Sequence, residues 1–365
     1  MSQKRKHISL QVTEQCNLNC IYCFQKHEEH EVMKLDVAKQ AIISNIRNAQ
    51  SYDEVEIELI GGEAFLRTDF VVELCEWAWS RKFCKPIVFF ITTNGILIHG
   101  QIKQWLKKNS KSIILALSLD GTPKTHNYNR SNSYNKIDID FFRHTWPTQP
   151  IKMTISHDML SNLSEDIIHI HNLGFLSTAN FAYGIDWTSS KDKEILQSEL
   201  KKLCDYYISH TEMQPNSLLD MPIDRIMHSE EIPQKWCGVG TDIIAIDRNG
   251  IEYPCPMFFP SSMSESTDWR TISFTDETKF ESKECLHCPI KCICPTCYGI
   301  SLIQYNKLTT RDPNLCEFTK IRALAVSYMN GIKISQDKFV DCSPEKLADT
   351  IKAIKIIQEA FSGTC

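Results

Sequence analysis

The sequence predicts an α/β fold in which six strand-helix units build a parallel sheet and a cysteine-dense region follows it. Two observations carry this. From residue 7 to about 212, short β-branched runs alternate with longer amphipathic stretches, the pattern of a parallel sheet covered by helices. Beyond residue 236 the thiols crowd together, eight of the chain's 16 lying between Cys237 and Cys316.

In chain order, strands are expected at 7–13, 54–60, 86–92, 112–119, 150–156 and 176–183, with helices near 34–49, 69–82, 99–109, 135–146, 163–173 and 191–212. Asp36 and Asp69 are candidate caps of the first two helices. Gln214-Pro215-Asn216 and Ile232-Pro233 interrupt the pattern and mark a linkage. A hairpin over 243–253 turns on Asp247-Arg248-Asn249-Gly250 and should bring Cys237 and Cys255 near each other. Helical periodicity returns near 317–330 and 344–361, as a cover packed on the core. The expected division is a core at 1–213, the linkage at 214–236, a cysteine-rich domain at 237–320 and a helical segment at 321–365.

Hydrophobic residues at 42% suffice for a core, and a net charge of -5 gives no case for nucleic acid as an obligatory partner. No apolar run approaches the ~18 residues of a membrane span, and the start lacks a signal-peptide core. The expected location is cytoplasmic, where clustered thiols bind metal more often than they form disulfides. Cys75, Cys84, Cys204, Cys342 and Cys365 fit no ligand spacing and are expected to be ordinary buried or terminal thiols.

Cys16, Cys20 and Cys23 follow the first strand at C-x3-C-x2-C spacing. Three thiolates so placed can bind three corners of an iron-sulfur cube from one loop and leave the fourth iron to a small chelating cofactor. Structural zinc normally closes its tetrahedron with a fourth ligand, for which His27 and His30 are the nearby candidates. The loop resembles the signature of the radical SAM superfamily, which has the same spacing and an aromatic residue before the third cysteine, here Tyr22. The resemblance implies a partial (β/α)6 TIM-like barrel and a 4Fe-4S cluster on the three thiols. The free iron would be chelated by S-adenosyl-L-methionine, whose reductive cleavage releases a 5'-deoxyadenosyl radical.

The strand ends extend the likeness, since ligands gather there in such folds. Gly61-Gly62-Glu63 follows the second strand and, read alone, is a turn; it resembles the family's motif for the cofactor's amino group. Thr92-Thr93-Asn94-Gly95 follows the third, and the family often has a similar sequence facing the cofactor. Ser118-Leu119-Asp120-Gly121 ends the fourth, where period two puts Ser118 and Asp120 on one side. By resemblance both contact the cofactor, and Arg130 neutralises its carboxylate or else sits in a surface ion pair. No catalytic side chain is assigned.

The later thiols resemble the SPASM extension of radical SAM enzymes: Cys237, twelve residues, Gly250, four residues, Cys255, then Cys285, Cys288, Cys294, Cys297 and a distant Cys316. Two departures stand out: two residues instead of three between Cys294 and Cys297, and an additional Cys292. By the family's pattern Cys285, Cys288, Cys294 and Cys316 hold one auxiliary 4Fe-4S cluster. Cys237, Cys255 and Cys297 hold another, with one iron left for Cys292 or a substrate thiolate.

SPASM enzymes mostly act on peptides or proteins, and two branches compete. Where the sulfatase-maturing branch, which makes formylglycine, has a basic Asp after the second cysteine of the Gly-x4-Cys element, this chain has Pro256. That branch's extra cysteine is also missing from Gly238-Val239-Gly240-Thr241-Asp242-Ile243. The expectation is therefore a maturase forming cysteine thioether crosslinks in a small ribosomally made precursor, with a reducing electron donor. A non-catalytic electron-transfer protein and a zinc module are the readings from other classes; retention of Gly61-Gly62-Glu63 and Ser118-Leu119-Asp120 argues against the first. With fifteen residues before Cys16, a leader-binding domain there is not expected.

Overall fold

The computed structural model describes residues 4–27, 31–233, 235–263, 268–339 and 343–362. The strands are β1 (Arg5–Thr13), β2 (Glu54–Gly61), β3 (Ile87–Thr93), β4 (Ile113–Leu117), β5 (Ile151–Ile155), β6 (Ser177–Phe181), β7 (Ile243–Ile246) and β8 (Glu252–Tyr253). Six fall where the alternation puts them, and the last two are the expected hairpin. Helices α1 (Leu35–Arg47), α2 (Thr68–Trp79), α3 (Gly100–Lys108), α5 (Ile139–Thr145), α6 (Leu163–Asn172) and α7 (Ser190–Ser209) follow the first six strands as expected. After them come α8 (Tyr298–Tyr305), α9 (Pro313–Ser335) and α10 (Pro344–Phe361). A short α4 (Pro123–Asn129) was not foreseen, although Thr122 caps it and Pro123 occupies its first position. Asp36 and Asp69 are not caps: Lys34 and Arg67 hold those positions, and the two carboxylates sit in the first turns, where they favour the helix dipole.

By spatial contact the chain forms two units, 1–152 with 238–275 and 153–237 with 276–365. The motif-based division into core, linkage, SPASM domain and helical segment concerns which cofactor each stretch serves, and it stays a proposal. In the first unit the sheet order is β4-β3-β2-β1-β7-β8, parallel except for the β7-β8 hairpin. The six expected strands thus do not share one ladder: β5 and β6 pair in a separate two-stranded sheet, and β7 adds beside β1. A single bridge, Ser118 to Lys152, continues past β4.

This order makes β1 a central strand. Ile8, Leu10 and Val12 are fully buried on one face, while Ser9, Gln11 and Thr13 are buried on the other, polar one. Ser9 Oγ donates to Glu58 at 2.8 Å across the pair. Near its end β1 slips register between Gln11 and Thr13, a bulge of the kind that re-aims a chain beside a site.

In the second unit α7 lies along α9, where Cys204 Sγ donates to the Ala325 carbonyl at 3.3 Å and Phe318 packs on Phe181 with ring centroids 5.0 Å apart. Cys75 and Cys204 are buried thiols, Cys84 is exposed, and Cys342 and Cys365 lie outside the described residues. No helix among the described residues is long and apolar enough to cross a membrane.

Gly61 closes β2 so near β1 that a Cβ there would collide with the Thr13 backbone, whereas a Cβ on Gly331 in α9 meets nothing within 4 Å. Gly61→Ala should therefore cost about 3 kcal/mol in denaturant unfolding. Gly331→Ala should stabilise, by up to about 1 kcal/mol.

Candidate cluster and cofactor site

The bulge at the end of β1 delivers the chain into the Cys16–Cys23 loop, which is pinned from two sides. His27 Nδ1 bonds the Glu14 carbonyl at 2.6 Å, while its Nε2 lies 3.3 Å from Cys23 Sγ. On the other side Ile21 N–H donates to the Asn129 carbonyl at 3.0 Å. Ser131, at φ 53°, accepts from Asn19 N–H at 3.2 Å and donates to the Asn19 carbonyl at 3.1 Å. A serine held in the left-handed region marks a position its surroundings enforce. His30 lies outside the described residues.

Asp120 is the hub beneath this loop. Fully buried, its carboxylate accepts from the Tyr22 hydroxyl, from Asn129 Nδ2 at 3.2 Å and from Arg130 Nε at 2.9 Å. The Arg130 guanidinium also lies 5.4 Å from the Tyr22 ring centroid. The pair formed by Arg130 is thus a buried one, with the arginine side chain 10% exposed. Burial works against that guanidinium, yet the Asp120 carboxylate beside it holds it above its ordinary range. His126 Nδ1 accepts from Asp120 N–H at 3.3 Å and Nε2 bonds Ser133 Oγ at 2.9 Å. Burial pushes this imidazole down to about 4, so near pH 7 it is neutral, with the proton on Nε2 by the bonds it makes.

The motif after β2 runs beside the loop entrance. Gly62 N–H donates to the Thr13 carbonyl at 3.1 Å and Glu63 N–H to the Gln15 carbonyl at 2.9 Å, and a Cβ on Gly62 would strike the Gln15 backbone. Glu63 Oε1 accepts from Phe65 N–H at 3.2 Å and Thr93 Oγ1 at 2.9 Å, and Oε2 from Asn94 N–H at 2.9 Å. Burial pushes its carboxyl above the usual carboxylate range against these bonds, and Oε2 retains capacity for a further donor. Asn94 Nδ2 donates to Asn17 Oδ1 at 2.8 Å, linking β3's end to the cysteine loop, and Ser118 N–H donates to the Thr93 carbonyl at 2.8 Å.

The three loop thiols interact electrostatically with one another. Burial raises Cys16 and takes Cys20 up to about 11, with the other thiols adding to the shift and Arg130 opposing it at Cys20. Both shifts favour the thiol at Cys16 and Cys20, and metal binding is what draws out the thiolate. Soft donors gathered on one loop, a cradle free of side chains at Gly61-Gly62 and a buried carboxylate with acceptor capacity fit a three-thiolate cluster with a chelating amino-acid cofactor.

In the second unit a cavity of about 260 Å³ is lined by Cys285, Cys288, Cys294, Cys316 and Cys297. Burial takes Cys294 up to about 11, and Cys316, Cys288 and Cys285 add to that rise. Cys297 interacts instead with Cys237 and with the Tyr183 hydroxyl. Cys292 belongs with the quartet's edge: its thiol lies 3.9 Å from the Arg225 carbonyl and feels Cys288. Cys255 lies in the first unit, between β8 and Pro256. Tyr183 and Arg311, both on this cavity, carry no spacing signal; Tyr183 reaches it from far upstream, whereas Arg311 lies just before Cys316.

Residues 10–139 match the Radical SAM superfamily. The chain carries a radical SAM domain. This domain holds the cysteine loop, Glu63 and Asp120, and its presence implies an iron-sulfur cluster and reductive cleavage of S-adenosylmethionine. The radical SAM cyclopropyl synthase TigE of Paramaledivibacter caminithermalis is 22% identical over 361 residues, covering 87% of this chain and 72% of that protein. An uncharacterized protein of Methanocaldococcus jannaschii is 31% identical over 118 residues, 32% of this chain, and the match spans 39% of that protein's length. Among solved structures, anSMEcpe with bound AdoMet and Cp18Cys peptide superimposes with a TM-score of 0.70 at 16% identity, covering 91% of this chain and 99% of that one. Streptococcus suis SuiB bound to precursor peptide SuiA gives 0.58 at 17%, covering 86% and 76%. The fold is the radical SAM fold, with a SPASM-like cysteine field.

Removing Asp120 strands the buried Arg130 charge and frees Tyr22. Asp120→Ala should lower stability by about 3–5 kcal/mol. Asp120→Ala with Arg130→Met should lose less than the two single changes summed, in a denaturant-unfolding cycle.

Proposed function

We propose that this chain is a peptide maturase forming cysteine thioether crosslinks in a small, ribosomally made, cysteine-containing precursor, with a reducing electron donor as second partner. The observation that supports the reading is that Cys285, Cys288, Cys294, Cys316 and Cys297 line one cavity, with Cys297 interacting with Tyr183 and Cys237. In this reading a second cluster that includes Cys237 and Cys297 would keep an iron for a substrate thiolate. Coordination there would hold that sulfur deprotonated and in place.

In this reading Cys16, Cys20 and Cys23 hold the cofactor-binding cluster, Glu63 accepts from the cofactor's ammonium, and Asn94 and Ser118 border it. Bound there, cluster and S-adenosylmethionine supply one-electron cleavage of a sulfonium bond and hydrogen-atom abstraction. Asp120 and Arg130 contribute by fixing Tyr22 and the loop, which sets where the cluster sits. Pro256, first residue of a short turn, offers no proton acceptor where formylglycine chemistry would need one. Peptide substrates find support in the two structural neighbours, anSMEcpe with bound Cp18Cys peptide and SuiB bound to precursor peptide SuiA. A second reading, carbon-carbon bond formation within a peptide, is favoured by the likeness to TigE along 87% of the chain.

Reduced, oxygen-protected protein incubated with S-adenosylmethionine and candidate precursors should remove two hydrogens and one alkylatable thiol per crosslink, read by peptide mass with and without iodoacetamide. Two hydrogens lost with every thiol intact supports carbon-carbon bonding; an aldehyde identifies formylglycine chemistry. Cys297→Ala should still release deoxyadenosine while forming no crosslink, and Cys16→Ala should do neither.

A further inference from the structure

We propose that Arg311 sets the reduction potential of the auxiliary cluster on Cys285, Cys288, Cys294 and Cys316 by donating its buried N–H groups to that cluster's sulfur. The inference rests on the ligand assignment proposed above and adds a residue outside any cysteine motif.

Four cations stand around the quartet: Lys291, Arg311, Lys320 and Arg322 all line its cavity. Three have their donors engaged. Lys291 Nζ donates to Glu281 at 2.9 Å, Lys320 Nζ to Glu317 at 2.6 Å, and Arg322 to the carbonyls of Leu218 and Ser217 at 2.9 and 3.0 Å. Arg311 differs: its guanidinium acts on the Tyr298 hydroxyl through a side-chain hydrogen bond, yet its Nε and Nη1 are buried and meet no acceptor among the described residues. Leaving guanidinium donors dry and unbonded is costly, so a chain that places them there calls for an acceptor in the adjoining space.

The adjoining space is shared with the thiols: Arg311 lines two cavities that Cys285, Cys288 and Cys294 also line, and its charge opposes the upward shift of Cys294. The guanidinium is steadied from behind by the Tyr298 ring, 5.7 Å from its carbon, and that ring is buried with its hydroxyl accepting from Trp236 N–H at 2.8 Å. A planar fork stacked on one face presents its donor edge in a fixed direction. A cluster held by four thiolates is anionic and grows more so on reduction, so a cation and N–H···S bonds favour the reduced form and raise the potential.

The test is an EPR-monitored potentiometric titration of the anaerobically reconstituted full-length protein, with iron and sulfide quantified alongside. Cys285→Ser identifies the quartet's signal. Arg311→Met should lower the cluster's reduction constant about tenfold, a shift of about 59 mV for a one-electron couple. Arg311→Lys should shift it less, because the charge remains and the fork is lost, and Lys320→Met less than Arg311→Met. In deuterated buffer the wild type's Fe–S stretching bands should move, and those of Arg311→Lys should move less. An unchanged potential in Arg311→Met at full iron content overturns the proposal. Should that variant lose its cluster, absence of any deuterium difference between wild type and Arg311→Lys overturns it equally. If Cys285→Ser removes no iron or sulfide, the ligand assignment falls first and this inference with it.

Discussion

The close approach of two backbones, the end of β2 against the end of β1, is the constraint on which the first unit depends. Gly61 and Gly62 lie where any side chain would meet the carbonyls of Thr13 and Gln15, and the ladder continues past both strands through Gly62 and Glu63. This seam fixes the direction in which the chain leaves β1, hence where Cys16 begins its loop. It also sets the Glu63 carboxylate beside that loop. A cofactor chelated at one iron and hydrogen-bonded through its ammonium needs both groups on one rigid support, and adjacent parallel strands supply it.

A second layer holds the loop from below. Asp120 gathers a phenol, an amide and a guanidinium, so one buried carboxylate couples the fourth strand's end to the residue before Cys23. Buried ion pairs contribute little net stability when complete, because desolvation offsets attraction. Their use here is geometric: the pair defines one arrangement of Tyr22 and Arg130, and neutral His126 behind it keeps the backbone of Asp120 from moving.

The second unit solves a different problem. Its thiols are carried by short turns and by α9, which meets α7 through the Cys204 thiol and the Ala325 carbonyl and β6 through Phe318 on Phe181. Cationic side chains surround the quartet, and most of them are neutralised by carboxylates or carbonyls of their own helix or neighbours. Local charge compensation leaves the few uncommitted donors to decide the electrostatics at the cluster position.

Much of this was legible in the residues. Strand positions followed from β-branched runs, since burial on both faces of a parallel sheet demands them, and the close spacing of Cys16, Cys20 and Cys23 singled out the loop, whereas the grouping of the later thiols came from a family resemblance. What stayed hidden came from contacts between distant segments. Nothing in the chain's order says that β7 would join β1, that Asp120 and Arg130 would answer each other while Tyr22 closed over them, or that Tyr183 would reach the later cysteines. The sequence by itself determined the α/β class and singled out the Cys16–Cys23 loop, because periodicity and short-range spacing are local properties. Only the tertiary structure decided which charges are paired and which donors are left over, because that depends on what the fold brings within reach.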